Sequence, residues 1–222
     1  MSKMILIMLQ GSVVSLEVFF LTLLFSLPLA LPIAMARMSK NGILSQIANV
    51  FMLIIRGTPL MLQLIVVYFG PGIFVIWLNK RFGLSIRLNW PRFVAAIVAL
   101  SVNYAAYFAE IYRGGIESIP RGQYEACKVL GYTKAQTFFR IILPQVIKRI
   151  VPAMGNEVIT LVKDTALIQV IGVGELLHVA QTSSSRLFST TPLFIAGVFY
   201  FVMNWAVSVG FRLLEKKLSY YR

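Results

Sequence analysis

The most informative stretch of the sequence runs from Glu125 to Pro144 and reads Glu-Ala-Cys-Lys-Val-Leu-Gly-Tyr-Thr-Lys-Ala-Gln-Thr-Phe-Phe-Arg-Ile-Ile-Leu-Pro. This stretch is polar and amphipathic, and it lies between two long apolar stretches of the chain. We therefore expect it to be a loop with secondary structure of its own, outside the apolar part of the protein.

Local signals divide this loop into two short helices. Pro120 suits the first turn of a helix, and Gly131 can adopt the left-handed conformation that ends one. Thr133 and Gln136 have the spacing of a capping box, which predicts the start of a second helix. Two short helices that meet at a glycine form a knob (residues 118–144), a shape that fits a groove on a partner. The alternative is an interfacial connector without a partner.

The composition indicates a membrane protein. Of the 222 residues, 58% are hydrophobic and only 13% are charged, with a mean hydropathy of +0.79, whereas soluble domains carry about a quarter charged residues. The net charge of +13 does not predict nucleic-acid binding, because the basic residues lie at the ends of apolar stretches. The single cysteine, Cys127, excludes an internal disulfide and, without a nearby histidine, predicts no metal site.

The apolar stretches predict an all-α polytopic membrane protein with about five transmembrane helices in one domain. The second span is expected to end near Phe69, because Gly70-Pro71-Gly72 interrupts its apolar run. The knob lies between the third and fourth spans. The expected spans cover residues 11–36, 47–69, 92–113, 146–173 and 191–214.

The distribution of basic residues predicts the orientation. If the N-terminus is outside, the cytoplasmic regions contain Arg37, Lys40, Arg113, Arg121, Lys128, Lys134, Arg140, Lys148, Arg149, Arg212, Lys216, Lys217 and Arg222. The opposite side then contains only Lys3, Lys80, Arg81, Arg87, Arg92 and Arg186. The excess predicts an outside N-terminus, with the knob and the C-terminus in the cytoplasm. The outer loop 79–92 is nevertheless basic, so it faces an acidic partner or touches lipid headgroups.

Polar residues inside the spans are candidates for a binding site, because a charge there costs about 2.5–3.5 kcal/mol on insertion scales. Glu157, Thr160 and Asp164 have spacings that place them on one face of a helix, called the acidic face below. Asn103 is expected near mid-depth in the third span. A cavity lined by these four residues would accept hydrogen bonds from an ammonium or guanidinium group. Alternatively, they pair with one another and hold the helices together.

Motifs of enzymes are absent from the sequence. It contains no Gly-x-x-x-x-Gly-Lys-Ser/Thr loop for a nucleotide phosphate, no His-Glu-x-x-His and no Ser-His-Asp set. We therefore expect that the chain is not an enzyme, binds no cofactor and depends on another subunit for any use of ATP.

The stretch from Glu125 to Pro144 resembles the "EAA" loop of ABC-importer permease subunits, with Cys127 where that family usually has a second alanine. Other stretches resemble the polar amino acid permeases of this family, of the histidine/glutamine/arginine type. They are Arg56-Gly57-Thr58-Pro59, the run from Tyr107 to Ile116, Lys163-Asp164-Thr165-Ala166-Leu167 and Val170-Ile171-Gly172.

The resemblance implies a permease subunit of the bacterial plasma membrane that imports polar amino acids, cationic ones among them, by alternating access. It implies three protein partners: an ABC ATPase subunit that uses ATP, an extracytoplasmic amino-acid-binding protein, and a second permease subunit, identical or different. It also implies a coupling role, by shape and packing, for Glu125, Ala126, Cys127, Gly131, Leu143 and Pro144.

Two other functions are alternatives. A secondary transporter or channel would use the intramembrane polar residues for a coupling ion, but five spans without an inverted repeat fit it poorly. A membrane scaffold that transports nothing would not need a polar face at mid-depth. Within the importer hypothesis, a quaternary amine or another small polar solute stays open as the substrate.

Overall fold

The computed structural model describes residues 2–218. Within them the chain is helical and contains no strand, which confirms the expected all-α fold. The elements in chain order are α1 Ser2–Arg37, α2 Gly42–Gly57, α3 Leu60–Phe82, α4 Arg92–Glu117, α5 Arg121–Val129, α6 Lys134–Gln136, a π-helical turn Thr137–Ile142, α7 Leu143–Asp164, a 3₁₀ helix Thr165–Ile171, α8 Leu176–Leu187 and α9 Thr191–Leu218.

Four helices in the described range are long and apolar enough to cross a membrane, namely α1, α3, α4 and α9. With the shorter apolar helix α2, the number of candidate membrane helices is consistent with the expected five. Helix α7 has 22 residues but is more polar, because it carries Glu157, Lys163 and Asp164. It packs against α4 and α9, so the polar helix belongs to the same bundle.

The expected break in the second span was wrong. The helix breaks at Thr58-Pro59, where Thr58 is extended, as residues before proline prefer. Helix α3 instead continues through Pro71 to Phe82. Pro71 cannot donate to the carbonyl of Val67, but the indole Nε1 of Trp90 donates to that oxygen at 2.9 Å. A partner from elsewhere in the chain thus replaces the missing hydrogen bond.

The first and fourth spans also differ from their expected bounds of 11–36 and 146–173. Helix α1 begins at Ser2, because its first turns pack Met4 and Met8 against α8. Its 36 residues extend for about 54 Å, farther than the hydrocarbon layer of about 30 Å. The α-helical part of the fourth stretch ends at Asp164, and the 3₁₀ helix that follows ends at Gly172, whose φ is +77°.

Helix α4 is the centre of the bundle and packs against α1, α3 and α7. Its buried side is rich in alanine, which lets neighbouring helices approach closely. At Gly115 a Cβ atom would lie only 2.2 Å from Cγ2 of Ile150, so α4 and α7 touch there. The buried alanines of α4 are Ala95, Ala96, Ala99, Ala105, Ala106 and Ala109.

Candidate functional site: an acidic membrane face and the knob

The knob has the two-helix form expected from its sequence. Helix α5 ends in a turn in which Gly131 has φ +74°, a conformation that side chains with a Cβ rarely adopt. The N–H of Tyr132 donates to the carbonyl of Cys127 at 3.0 Å, and that of Gly131 donates to Lys128 at 3.1 Å. These two bonds are typical of a glycine-terminated helix end. They fix the angle between α5 and the helix that begins at Lys134.

The second helix of the knob, α6, continues directly into the membrane bundle. The reciprocal bonds between Thr133 and Gln136 confirm the capping box. From there α6, the π-helical turn Thr137–Ile142 and α7 follow one another without a gap to Asp164. Pro144 removes one N–H from this helix, and a π-helical turn is a common way to absorb such a defect. The knob and the acidic face therefore belong to one helical rod of about 45 Å.

The base of the knob is attached to α4 and α7. Ile119, Ile142 and Val146 form a buried apolar cluster there. The guanidinium of Arg149 donates to the backbone carbonyl of Ser118 and, at 3.1 Å, to its hydroxyl. A displacement of the knob would therefore move these helices with it.

The six residues assigned to coupling lie on or beside the knob. Cys127 is buried, with 3% of its surface exposed, which agrees with a small residue in a packed position. Val129, Leu130 and Phe139 are 88%, 73% and 64% exposed, which the sequence pattern did not predict. Large apolar side chains exposed on a knob are typical of a docking surface. Of the other assigned residues, Leu143 is half-buried and four are exposed: Glu125, Ala126, Gly131 and Pro144.

In the membrane bundle, two hydrogen bonds join the residues assigned to the substrate site to neighbours. Asn103, only 4% exposed, donates from Nδ2 to Oε1 of Gln63 at 2.9 Å. Oδ2 of Asp164 accepts a hydrogen bond from the hydroxyl of Tyr104 at 2.7 Å. These bonds connect α3, α4 and α7. Sequence reasoning missed Tyr104, since a tyrosine in an apolar helix gives no signal of its partner.

Glu157 and Thr160 differ from these paired residues. The hydroxyl of Thr160 donates to the carbonyl of Asn156 at 3.0 Å, within its own helix. Glu157 is half-buried and makes no hydrogen bond or salt bridge to any residue in the range 2–218. The substrate role of Asn103, Glu157, Thr160 and Asp164 stays a prediction, and Glu157 is the carboxylate that accepts no hydrogen bond from the described residues.

A second charged group lies next to this face. The guanidinium of Arg56 lies over the ring of Tyr107, 5.4 Å from its centroid, and 3.8 Å from Glu110. Arg113 pairs with both Glu110 and Glu117. Because Arg56 is at the C-terminal end of α2, immediately before the Thr58-Pro59 break, this cluster connects the break to α4.

A third polar cluster, centred on Glu175, was missed entirely. Glu175 is 0% exposed and caps α8 by accepting hydrogen bonds from the N–H groups of Leu177 and His178. The hydroxyl of Tyr200 donates to Oε2 of Glu175 at 2.7 Å. Burial raises the pKa of the Glu175 carboxyl, and these hydrogen bonds act against that rise. Glutamate is not among the preferred N-cap residues, so the sequence carries no signal of this capping role or of the burial.

Comparison with known proteins gives the family. The model of the family described as "Binding-protein-dependent transport system inner membrane component" matches residues 26–220. The chain belongs to this family. It is 35% identical over 212 residues to the arginine transport system permease protein ArtQ of Bacillus subtilis, covering 95% of this chain and 92% of ArtQ. It is 38% identical over 190 residues to the nopaline transport system permease protein NocM of Agrobacterium fabrum, covering 85% and 78% of the two chains.

Solved structures agree with this family. An amino acid ABC transporter crystallised with histidines contains a chain that matches with a TM-score of 0.83 and 35% identity, covering 98% of this chain and 96% of that one. The methionine ABC transporter MetNI matches with a TM-score of 0.75 at 20% identity, covering 99% of each chain, and that likeness concerns the fold. The resemblance to ABC-importer permeases is confirmed, so this chain is a membrane permease subunit of such a system.

Proposed function

We propose that this permease forms the pathway for a polar amino acid and favours cationic ones, with its acidic face in contact with the cationic group. The observation that carries this proposal is Glu157, a half-buried carboxylate that forms no hydrogen bond and no salt bridge with residues 2–218. An unpaired charge in a membrane bundle is costly, and a guanidinium or ammonium group would offset that cost. The names of the arginine and nopaline permeases support the same substrate class.

The protein partners of this permease are inferred from the knob. Its exposed Val129 and Leu130 support docking on a separate ATPase subunit in the cytoplasm, which supplies the work for alternating access. The opposite side would receive the substrate from an extracytoplasmic binding protein. A second permease subunit, identical or different, would complete the pathway. This arrangement requires the N-terminus outside and the C-terminus in the cytoplasm.

The experiment is ATP-dependent uptake by the complete complex in proteoliposomes, with arginine and glutamine as competing labelled substrates. Losing one hydrogen bond to a charged group costs about 1.5–3 kcal/mol. We expect Glu157→Gln to raise the KM for arginine by about 10- to 100-fold, with a smaller change for glutamine.

The matched control is Glu17→Gln, which removes a carboxylate from an exposed position of α1. Asp164→Asn serves as a second variant, because it retains an acceptor for the Tyr104 hydroxyl. If Glu157→Gln lowers uptake of arginine and glutamine equally, the residue has a structural role and the proposed contact is wrong.

A further inference from the structure

The basic segment (residues 79–92), which comprises the last turn of α3, the connection 83–91 and the first residue of α4, is not used by the proposed transport mechanism. It contains four basic residues, whereas the sequence has no Asp or Glu between Glu17 and Glu110. Lys80, Arg81 and Arg87 are exposed and form no ion pair with the part of the chain that the structure describes. The segment is thus a concentration of free positive charge.

Apolar and polar side chains alternate along this segment. Residues 83–91 have no helix or strand, and Leu84, Ile86 and Leu88 are each 45% exposed. The polar residues Ser85 and Arg87 alternate with these apolar residues, and Asn89 follows Leu88. This alternation is the pattern of an extended chain, in which successive side chains point to opposite sides, and it predicts an apolar edge and an edge that carries Arg87.

Side-chain hydrogen bonds hold the segment in place. The amide of Asn79 donates to the carbonyl of Ile86 at 2.8 Å and accepts from its N–H at 3.0 Å. The Trp90 indole, bonded to the carbonyl of Val67 at 2.9 Å, anchors the other end. Ile86 therefore has both backbone polar groups satisfied, which is required of an irregular chain in contact with lipid.

An aromatic cluster lies at the end of α3, next to the segment. Trp77 stacks with Phe74 at a centroid distance of 5.9 Å and contacts Phe82 edge-on at 6.3 Å. Trp77 and Phe82 are 54% and 63% exposed. Exposed aromatic rings followed by Lys80 and Arg81 are typical of the boundary between hydrocarbon and headgroups.

We propose that the basic segment lies along the membrane surface and binds anionic phospholipid headgroups. Arg87, Lys80 and Arg81 would contact the phosphates, while Leu84, Ile86 and Leu88 enter the acyl boundary. Two observations favour lipid over an acidic protein: the exposed Leu84, Ile86 and Leu88 beside the basic residues, and the continuity of the segment with the membrane helices α3 and α4. An acidic protein surface would account for the charge but not for the exposed apolar side chains.

Depth measurements on the full-length chain test this arrangement. In a Cys127→Ala background, spin labels are placed at Ser85→Cys, Ile86→Cys and Leu88→Cys, and the protein is reconstituted into phosphatidylcholine vesicles with and without phosphatidylglycerol. We expect the labels at positions 86 and 88 to collide with oxygen in the bilayer, and the label at position 85 with a water-soluble nickel complex. Equal exposure of all three labels to the nickel complex would overturn the proposal.

Lipid selectivity tests the charge. The fraction of spin-labelled phosphatidylglycerol retained by Arg87→Gln is compared with that retained by Lys3→Gln, which removes an exposed positive charge elsewhere. We expect Arg87→Gln to weaken retention about fivefold and Lys3→Gln to leave it unchanged. Unaltered retention by Arg87→Gln, or labels shielded only after an acidic protein is added, would refute lipid binding. Either result would leave the transport proposal intact, because these residues belong neither to the acidic face nor to the knob.

Discussion

Docking of the knob on an ATPase subunit can be tested at Val129 and Leu130. Both side chains are mostly exposed, at 88% and 73%, so replacing them with serine removes little buried surface from the chain itself. Substitutions at such exposed positions usually change folding stability by no more than about 0.5 kcal/mol. A large loss of coupling in the double variant would therefore come from the surface that meets the partner.

The size of the effect follows from the area that is still available to a partner. Fully burying a valine or leucine side chain contributes about 1.5–3 kcal/mol, and roughly three quarters of that remains for docking. For the two residues together, we expect a loss of about 2.3–4.5 kcal/mol, which weakens ATPase binding about 40- to 2,000-fold.

The assay is binding of the purified ATPase subunit to the permease in nanodiscs, followed by ATP-dependent uptake with the same preparations. Leu187→Ser is the control, because Leu187 is 57% exposed at the end of α8, away from the knob. We expect normal insertion and stability of all variants. If the Val129/Leu130 double variant binds the ATPase with unchanged affinity, docking does not use this surface of the knob.

Two pairs of glycines, each pair in the same part of the chain, give further predictions. Gly131→Ala should reduce ATP-coupled uptake, whereas Gly122→Ala should not. Of these two glycines only Gly131 has a positive φ, so alanine there changes the angle of the knob. Equal uptake by the two variants would show that this angle is unimportant. Gly115→Ala should lower the free energy of unfolding by about 1–3 kcal/mol, since its Cβ would meet Ile150. Gly114→Ala meets nothing within 4 Å, so equal melting temperatures for the two variants would contradict the close packing of α4 and α7.

The sequence predicted those parts of the fold that depend on neighbouring residues. The capping box at Thr133 and the helix end at Gly131 are local patterns, and both were found where expected. The break in the second stretch could not be predicted, because Pro59 and Pro71 look alike in sequence. Only the folded chain brings Trp90 to the carbonyl that Pro71 leaves free, and this long-range bond allows α3 to continue.

The sequence predicted the position of the acidic face but not the hydrogen bonds of its carboxylates. Helical spacing places Glu157 and Asp164 on one side of α7, but spacing does not reveal which carboxylate is already paired. Tyr104, 60 positions before Asp164 in the chain, donates to it, whereas Glu157 has no such donor in the described range. The two carboxylates therefore differ chemically, and a test of substrate contact is cleaner at Glu157.

The continuous rod that begins at Lys134 and ends at Asp164 gives a physical reason why knob and acidic face can act together. An α-helix resists bending, so a displacement applied at the knob reaches Glu157 as a movement of the whole rod rather than as a chain of side-chain adjustments. The rod has two irregular points, the π-helical turn Thr137–Ile142 and Pro152 inside α7, where the helix lacks a backbone hydrogen bond. Any bending should therefore concentrate at these two points, which both precede Glu157, and the spacing of Glu157 and Asp164 should stay unchanged.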